Sequence, residues 1–259
     1  TIPASLLLKW NLLLNGRILR RAIRGRREGV LLRWLMRFEL ASWFAYNRRK
    51  TSWKERAMSA ERPCVLVGVT GCIAAYKAGE IVRGLQKAGV RVKVVMTEHG
   101  THFVDPVTFR ALTHEKVAVD LFDDPSDPIH HISLAQECDV FLIAPCTANV
   151  MAKVACGIAD DLLSTTALAI TATLAIAPAA NVHMYEAAAT QENMATLRRR
   201  GVRFIEGDAG YLACGDVGRG RLADPAVIVR ETLALLAERV GLDALREACE
   251  QHGEVPFAT

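Results

Sequence analysis

Residues 63–96 read PCVLVGVTGCIAAYKAGEIVRGLQKAGVRVKVVM. Cys64–Val69 is a continuous apolar run, the pattern of a parallel strand buried on both faces. A glycine-containing turn follows. Apolar residues Ile73, Ala74, Ile81, Val82 and Leu85 then recur on one helical face, which Gly89 closes. Val90–Met96 resumes strand character. Further along, Val117–Phe122, Val140–Ala144, Thr173–Ala177 and Val202–Glu206 read as strands, with helical patterns at 147–156, 187–200 and 225–239. This alternation predicts an α/β protein: a doubly wound parallel sheet with helices on both faces. Ligands of such sheets sit at the carboxyl ends of the strands. That rule selects the loops at 70–73, 97–103, 123–132, 145–149, 178–185 and 207–224.

The charge is unevenly placed. Residues 1–57 hold 14 of the 32 Lys/Arg and 3 of the 28 Asp/Glu, a net +11, whereas 58–259 carry −7. All four tryptophans (Trp10, Trp34, Trp43 and Trp53) also lie in the first segment. We therefore divide the chain into a basic amphipathic helical extension (1–57), an α/β domain (58–240) and a short amphipathic C-terminal tail (241–259). Three readings of 1–57 stay open: a mis-extended start ahead of Met58, a helix pair for a partner or an anionic membrane, and intramolecular packing. Arginines break its apolar stretches before membrane-spanning length, and no secretory cleavage pattern is present.

Seven cysteines without paired short spacing exclude a disulfide framework and a zinc site, and fit a reducing, cytoplasmic setting. The net negative charge of 58–259 argues against nucleic acid. The first loop, GVTGCIAAYK, lacks both the dinucleotide fingerprint and the P-loop pattern, yet presents N–H groups at a helix start. Thr147 in PCTAN reads as a helix N-cap. Cys64, Cys138, Cys156 and Cys249 read as small apolar fillers, and Arg198–Arg200 as a solvated cluster at a helix end.

Four segments in order carry a resemblance: GVTGCIAAYK (68–77), HISLAQECDVFLIAPCTANVMAKVACGIADDLLST (131–165), PAANVHMY (178–185) and ACGDVGRGRLADP (213–225). Together they resemble the flavin-containing cysteine decarboxylases, over about residues 63–239. The resemblance implies FMN, a Rossmann-like (flavodoxin-like) fold, and a homotrimer or higher assembly with flavin near a subunit interface. It implies FMN contacts at Gly71, Cys72 and Ile73 in the first turn, at Thr97 near the phosphate, at Thr147, Ala148 and Asn149, and at Ala179. His131, immediately before Ile-x-Leu, matches the catalytic histidine; His130 does not. Asn181 matches the residue that holds the substrate's carboxylate, Ala213 a backbone contact to substrate, and Cys214 a proton donor. Ala180 departs from the family pattern, which has methionine there.

The activity implied is FMN-dependent decarboxylation of 4'-phosphopantothenoylcysteine to 4'-phosphopantetheine in coenzyme A biosynthesis. Losing CO2 directly from a cysteine carboxylate would leave an unstabilised carbanion. Oxidation of the aminoethanethiol carbons first, with a hydride equivalent passing to FMN, lets sulfur and the new unsaturation delocalise the charge. Return of the hydride, with a proton from Cys214, completes the turnover. His131 serves as base or proton shuttle. Rival readings are a peptide C-terminal cysteine oxidative decarboxylase, a flavin prenyltransferase and a non-catalytic FMN-binding regulatory subunit. The first lacks the returning cysteine motif. The others do not require His131, Asn181 and Cys214 together. With no synthetase-like half following residue 259, the chain resembles a stand-alone decarboxylase, and the ligase step is expected from a separate polypeptide. Gly215, Gly218 and Gly220 read as flexibility in a flap over substrate, and Arg221 as a contact to substrate phosphate or a neighbouring subunit. No metal is expected.

Overall fold

The computed structural model describes residues 62–122, 127–211 and 215–254. Readings that fall on 1–57, and on Ala213 and Cys214, lie outside the described residues. Five parallel strands form one sheet in the order β2-β1-β3-β4-β5. They are β1 (Cys64–Val69), β2 (Arg91–Met96), β3 (Val140–Cys146), β4 (Thr173–Pro178) and β5 (Arg203–Phe204). Every residue of β1 and β3 is buried, as central strands of apolar sequence require. On the β2 side, Arg91 and Lys93 remain half-buried. Arg91 pairs with Glu115 at 2.8 Å, and Lys93 with Glu137 at 2.5 Å.

Between β1 and β2 the chain makes a 3₁₀ turn (Ile73–Lys77) and helix α1 (Ala78–Lys87). After β2 come α2 (Glu98–Thr101), α3 (Pro106–Thr113) and α4 (His130–Glu137). Two helices, α5 (Ala148–Cys156) and α6 (Leu162–Ala169), separate β3 from β4. Beyond β4 lie α7 (Val182–Glu186) and α8 (Ala188–Arg199). A two-stranded antiparallel hairpin, β6 (Gly210–Tyr211) with β7 (Val217–Gly218), follows β5. The chain then forms α9 (Pro225–Val240) and α10 (Leu242–His252).

The strand residues alternate between two cores. Val65, Val67 and Val69 face a layer that includes Ile81 and Leu85 of α1, Ile228 and Leu236 of α9 and Leu245 of α10. Leu66 and Phe141 face Leu134, Met151, Leu163 and Leu197 from α4, α5, α6 and α8. Each fully buried Leu or Ile contributes about 1.5–3 kcal/mol of transfer free energy. The doubly wound sheet with helices on both faces is thus as the sequence implied.

Several elements differ from the sequence reading. Residues 117–122 do not form a strand: a single parallel bridge, Ala118 to Val95, lies beside β2. The apolar run Val117–Val119 is too short to extend the ladder, because Asp120 follows and turns back through Asp120 Oδ1, which accepts from the Phe122 amide at 2.8 Å. Only Arg203–Phe204 of 202–206 pair with β4. The segment read as a C-terminal tail contains α10, which buries Leu245, Ala248 and Cys249. Cys156 is exposed, in contrast to buried Cys64, Cys138 and Cys249. The arginines ending α8 are exposed, as the sequence implied, and two of them also have partners: Arg198 pairs with Glu206 and lies over the Phe204 ring, while Arg200 donates to the Ala155 carbonyl at 2.7 Å. Among the described residues no helix is long and apolar enough to cross a membrane.

Candidate active site

The strand order 2-1-3-4-5 has its topological switch point between β1 and β3, where the chain leaves the sheet in opposite directions and opens a crevice. The two lips of that crevice are the turn after β1 and the turn after β3. Thr70, fully buried, ties them together. Its hydroxyl donates to the Pro145 carbonyl at 2.8 Å and accepts from the Thr147 amide at 3.1 Å. Sequence reasoning passed over Thr70, since its partners lie 75 and 77 residues away.

On the first lip, Gly71 and Cys72 are half-buried and Ile73 is 60% exposed. Ile73 therefore does not join the buried face of the following helix, as its periodicity suggested. The 3₁₀ turn moves it off that face and leaves it at the crevice. Gly71 is required by close approach: a Cβ there would stand 2.5 Å from the His99 Cβ and 2.9 Å from its backbone. Burial raises the Cys72 thiol above its ordinary pKa, against the lowering effect of the Ala74 and Ala75 amides. Cys72 is thus a neutral wall at physiological pH.

Thr97 and Thr147 are built alike. Each precedes a helix in extended backbone, and each side-chain oxygen accepts from the amide three residues on. The distances are 3.2 Å to Gly100 for Thr97 and 3.3 Å to Val150 for Thr147. A capping hydroxyl spends a lone pair and keeps its proton, so both threonines can still donate to an anion. The N-cap reading of Thr147 therefore holds and leaves its donor role intact. Behind it, the first amides of α5, at Ala148 and Asn149, have no intrahelical acceptor, and the Asn149 side chain is exposed.

The β4 exit completes the edge. The amide of buried Ala179 donates to the Cys146 carbonyl at 2.9 Å, which sets this loop beside the β3 exit. Asn181 caps α7, its Oδ1 accepting from the His183 amide at 2.9 Å. That bond fixes the amide's orientation and turns Nδ2 outward, where it donates to Asp216 Oδ2 at 2.9 Å. Buried Tyr185 donates its phenol to Glu206, which also takes Arg198. Burial first, then Glu206, pushes the Tyr185 pKa up to about 12.

The β6–β7 hairpin is seated on this loop. The Ala180 amide donates to the Gly220 carbonyl at 2.9 Å. A Cβ at Gly218 would stand 2.6 Å from Val182 Cγ2, and one at Gly220, whose φ is +106°, would stand 2.6 Å from the Ala180 carbonyl. Gly218 and Gly220 are thus sites of close packing and not sources of flexibility. Gly215, at φ +93°, has open space around it.

His131 lies in the first turn of α4 and not in a strand-end loop. HHISLAQE buries His130, Leu134 and Ala135 at helical spacing, which draws the histidine pair into the helix. His131 is half-buried, while the Nδ1 of buried His130 has no hydrogen-bond partner. Because α4 runs back into β3, its first turn lies toward the strands' carboxyl ends. No hydrogen bond among the described residues joins His131 to Gly71, Thr97, Thr147 or Asn181. Among the described residues there is no group of three or more His, Cys, Asp or Glu placed to hold a metal ion.

The profile of the Flavoprotein family matches residues 53–237. The chain belongs to the Flavoprotein family. It is 50% identical over 167 residues to the coenzyme A biosynthesis bifunctional protein CoaBC of Bacillus subtilis, covering 64% of this chain and 41% of that protein. Among solved structures it is similar to a mutant PPC decarboxylase complexed with pantothenoylaminoethenethiol. The identity there is 30% and the TM-score 0.60, over 69% of this chain and 100% of that one. It is equally similar to the FMN-dependent cysteine decarboxylase SpaF, with 30% identity and a TM-score of 0.61, over 69% and 99% of the two chains. The chain spans less than half the length of the curated relatives it matches.

Proposed function

We propose that this Flavoprotein family member binds FMN and decarboxylates 4'-phosphopantothenoylcysteine to 4'-phosphopantetheine, a step of coenzyme A biosynthesis. One observation carries the reading: the two lips of the β1/β3 crevice and the Asn181 loop stand side by side at one sheet edge, held by the Thr70 and Ala179 hydrogen bonds.

The residues present fit FMN. At Gly71 only a hydrogen atom fits against His99. Thr97 and Thr147 offer hydroxyl protons, and Ala148 and Asn149 offer unspent amides, all suited to a phosphate monoester. Ile73, exposed at the crevice, and the neutral Cys72 provide apolar wall for an aromatic ring. FMN supplies reversible acceptance of a hydride equivalent, so that CO2 leaves from an oxidised and stabilised carbon skeleton.

The chain's own residues do the rest. The amide of Asn181 donates to the substrate's carboxylate and orients it without adding charge. His131 takes or relays the proton of the oxidation half. Ala213 offers a backbone contact, and Cys214 gives the proton that accompanies hydride return. The last two roles, and that of His131, are carried from the resemblance.

We further propose a homotrimer or higher assembly with FMN near the subunit interface. Exposed Ile73 and Tyr76 after β1, and Phe103 and Val107 after β2, support it as apolar surface in need of cover. The six free cysteines among the described residues support a reducing, cytoplasmic setting. The second activity in the name of the bifunctional relatives belongs to those proteins.

The test is direct. The purified protein should be yellow or take up FMN, and should release CO2 from 4'-phosphopantothenoylcysteine faster than from a peptide ending in cysteine. A protein that rejects FMN overturns the proposal, and a preference for the peptide transfers it to the peptide branch.

A further inference from the structure

Asn181 already holds a carboxylate. Its Nδ2 donates to Asp216 Oδ2 at 2.9 Å, and its Oδ1 is committed to the His183 amide, so the amide cannot turn to offer a different face. Asp216 is half-buried and stands on the hairpin segment that leads into β7. The contact is not needed to seat the hairpin. The Ala180–Gly220 hydrogen bond and the Gly218–Val182 approach already do that.

We propose that Asp216 is a specificity-determining residue of the carboxylate subsite: an internal carboxylate that competes with the substrate's own for the Asn181 amide. The inference rests on the reading that Asn181 holds the substrate's carboxylate. Nδ2 carries two hydrogens, but two carboxylates held at one nitrogen stand close together and repel strongly in a partly desolvated site. Substrate must therefore displace Asp216, whereas a ligand without a carboxylate leaves the Asn181–Asp216 bond in place. Once CO2 has departed, the Asn181–Asp216 bond re-forms. The pair thus registers whether the carboxylate is still present.

The test uses two ligands that differ only in that group and carry no thiol to be oxidised: 4'-phosphopantothenoylserine and 4'-phosphopantothenoylethanolamine. Their affinities for the FMN-loaded protein are measured by titration calorimetry. The readout is the ratio of the two, in which any general damage to the site cancels. In Asp216→Asn, which keeps shape and loses charge, binding of the serine ligand should tighten by about tenfold, on the order expected for removing a like charge. The ethanolamine ligand should change by less than about twofold on the same ground. Asp216→Ala should shift the ratio in the same direction, and it answers the question if the asparagine variant does not fold.

An unchanged ratio, or one that moves against the serine ligand, overturns the proposal and makes Asp216 a strut for Asn181. Asn181→Ala separates the two readings. If that variant does not reduce the preference for the serine ligand, the Asn181 reading fails and the Asp216 proposal with it. If it does, a failure at Asp216 stands alone.

Discussion

The hydroxyl of Thr70 bridges two loops 75 residues apart, donating to the Pro145 carbonyl and accepting from the Thr147 amide. This one buried side chain sets the spacing of the β1/β3 crevice. Replacing it with valine keeps the volume and strands a carbonyl and an amide without partners. Thr70→Val should cost about 2–4 kcal/mol in urea unfolding, the range for leaving two buried polar groups unpaired. It should also weaken FMN binding by at least about tenfold, since the two lips would lose their registry. Fluorescence titration with FMN, beside the unfolding curve, measures both. A variant that loses stability yet binds FMN as before would reduce Thr70 to a structural tie.

The three glycines after Cys214 should differ in their tolerance of a methyl group. Gly220→Ala combines positive φ with a Cβ 2.6 Å from the Ala180 carbonyl, whereas Gly215→Ala meets open space and suffers only the backbone strain. The first should cost about 3 kcal/mol or more and the second about 1 kcal/mol. Comparing the two melting curves tests whether the hairpin packs on the Asn181 loop. Equal losses would say that it does not.

Tyr185 should titrate late. With its pKa pushed from 10.0 to about 12 by burial and Glu206, the neutral phenol is the favoured form in the folded chain. The raised folded value means that its contribution to stability is present in full below about pH 10 and is lost as the pH rises through about 12. An absorbance titration of phenolate in the native protein should show one tyrosine ionising above the others. Tyr185→Phe should remove that phase. If the late phase survives the substitution, the buried phenol is not Tyr185.

Much of this architecture was legible in the sequence because the central strands are uninterrupted apolar runs. Cys64–Val69 and Val140–Cys146 are buried throughout, so period and burial say the same thing. Helix α6 was missed for the opposite reason. LLSTTALA buries Leu162, Leu163, Ser164, Thr166 and Ala167, leaving no polar stripe to reveal a helical period. The capping box between Asp161 and Ser164 was its one local signal. At the site, the threonine caps could be read locally, since the cap and its acceptor lie three residues apart. The Thr70 bridge and the Asn181–Asp216 bond could not. Their partners are 75 and 35 residues away, and only the fold brings them together. The arginines at the end of α8 are exposed, as read, but the partners of Arg198, Glu206 and Phe204, come from the segment beyond and were not legible locally.

The role of Cys214 divides the proposed reaction from its nearest rival. Cys214→Ser should still release CO2 from 4'-phosphopantothenoylcysteine while the flavin absorbance bleaches and does not recover in the absence of oxygen. A variant that completes the turnover would assign the proton to another group.

The FMN-loaded protein is mixed with excess 4'-phosphopantothenoylcysteine without oxygen, and CO2, thiol product and flavin absorbance are followed together. We predict CO2 and 4'-phosphopantetheine in equal amounts over many turnovers, with the flavin oxidised at the end. One equivalent of CO2 per flavin, with the flavin left reduced and an unsaturated thiol as product, would contradict it.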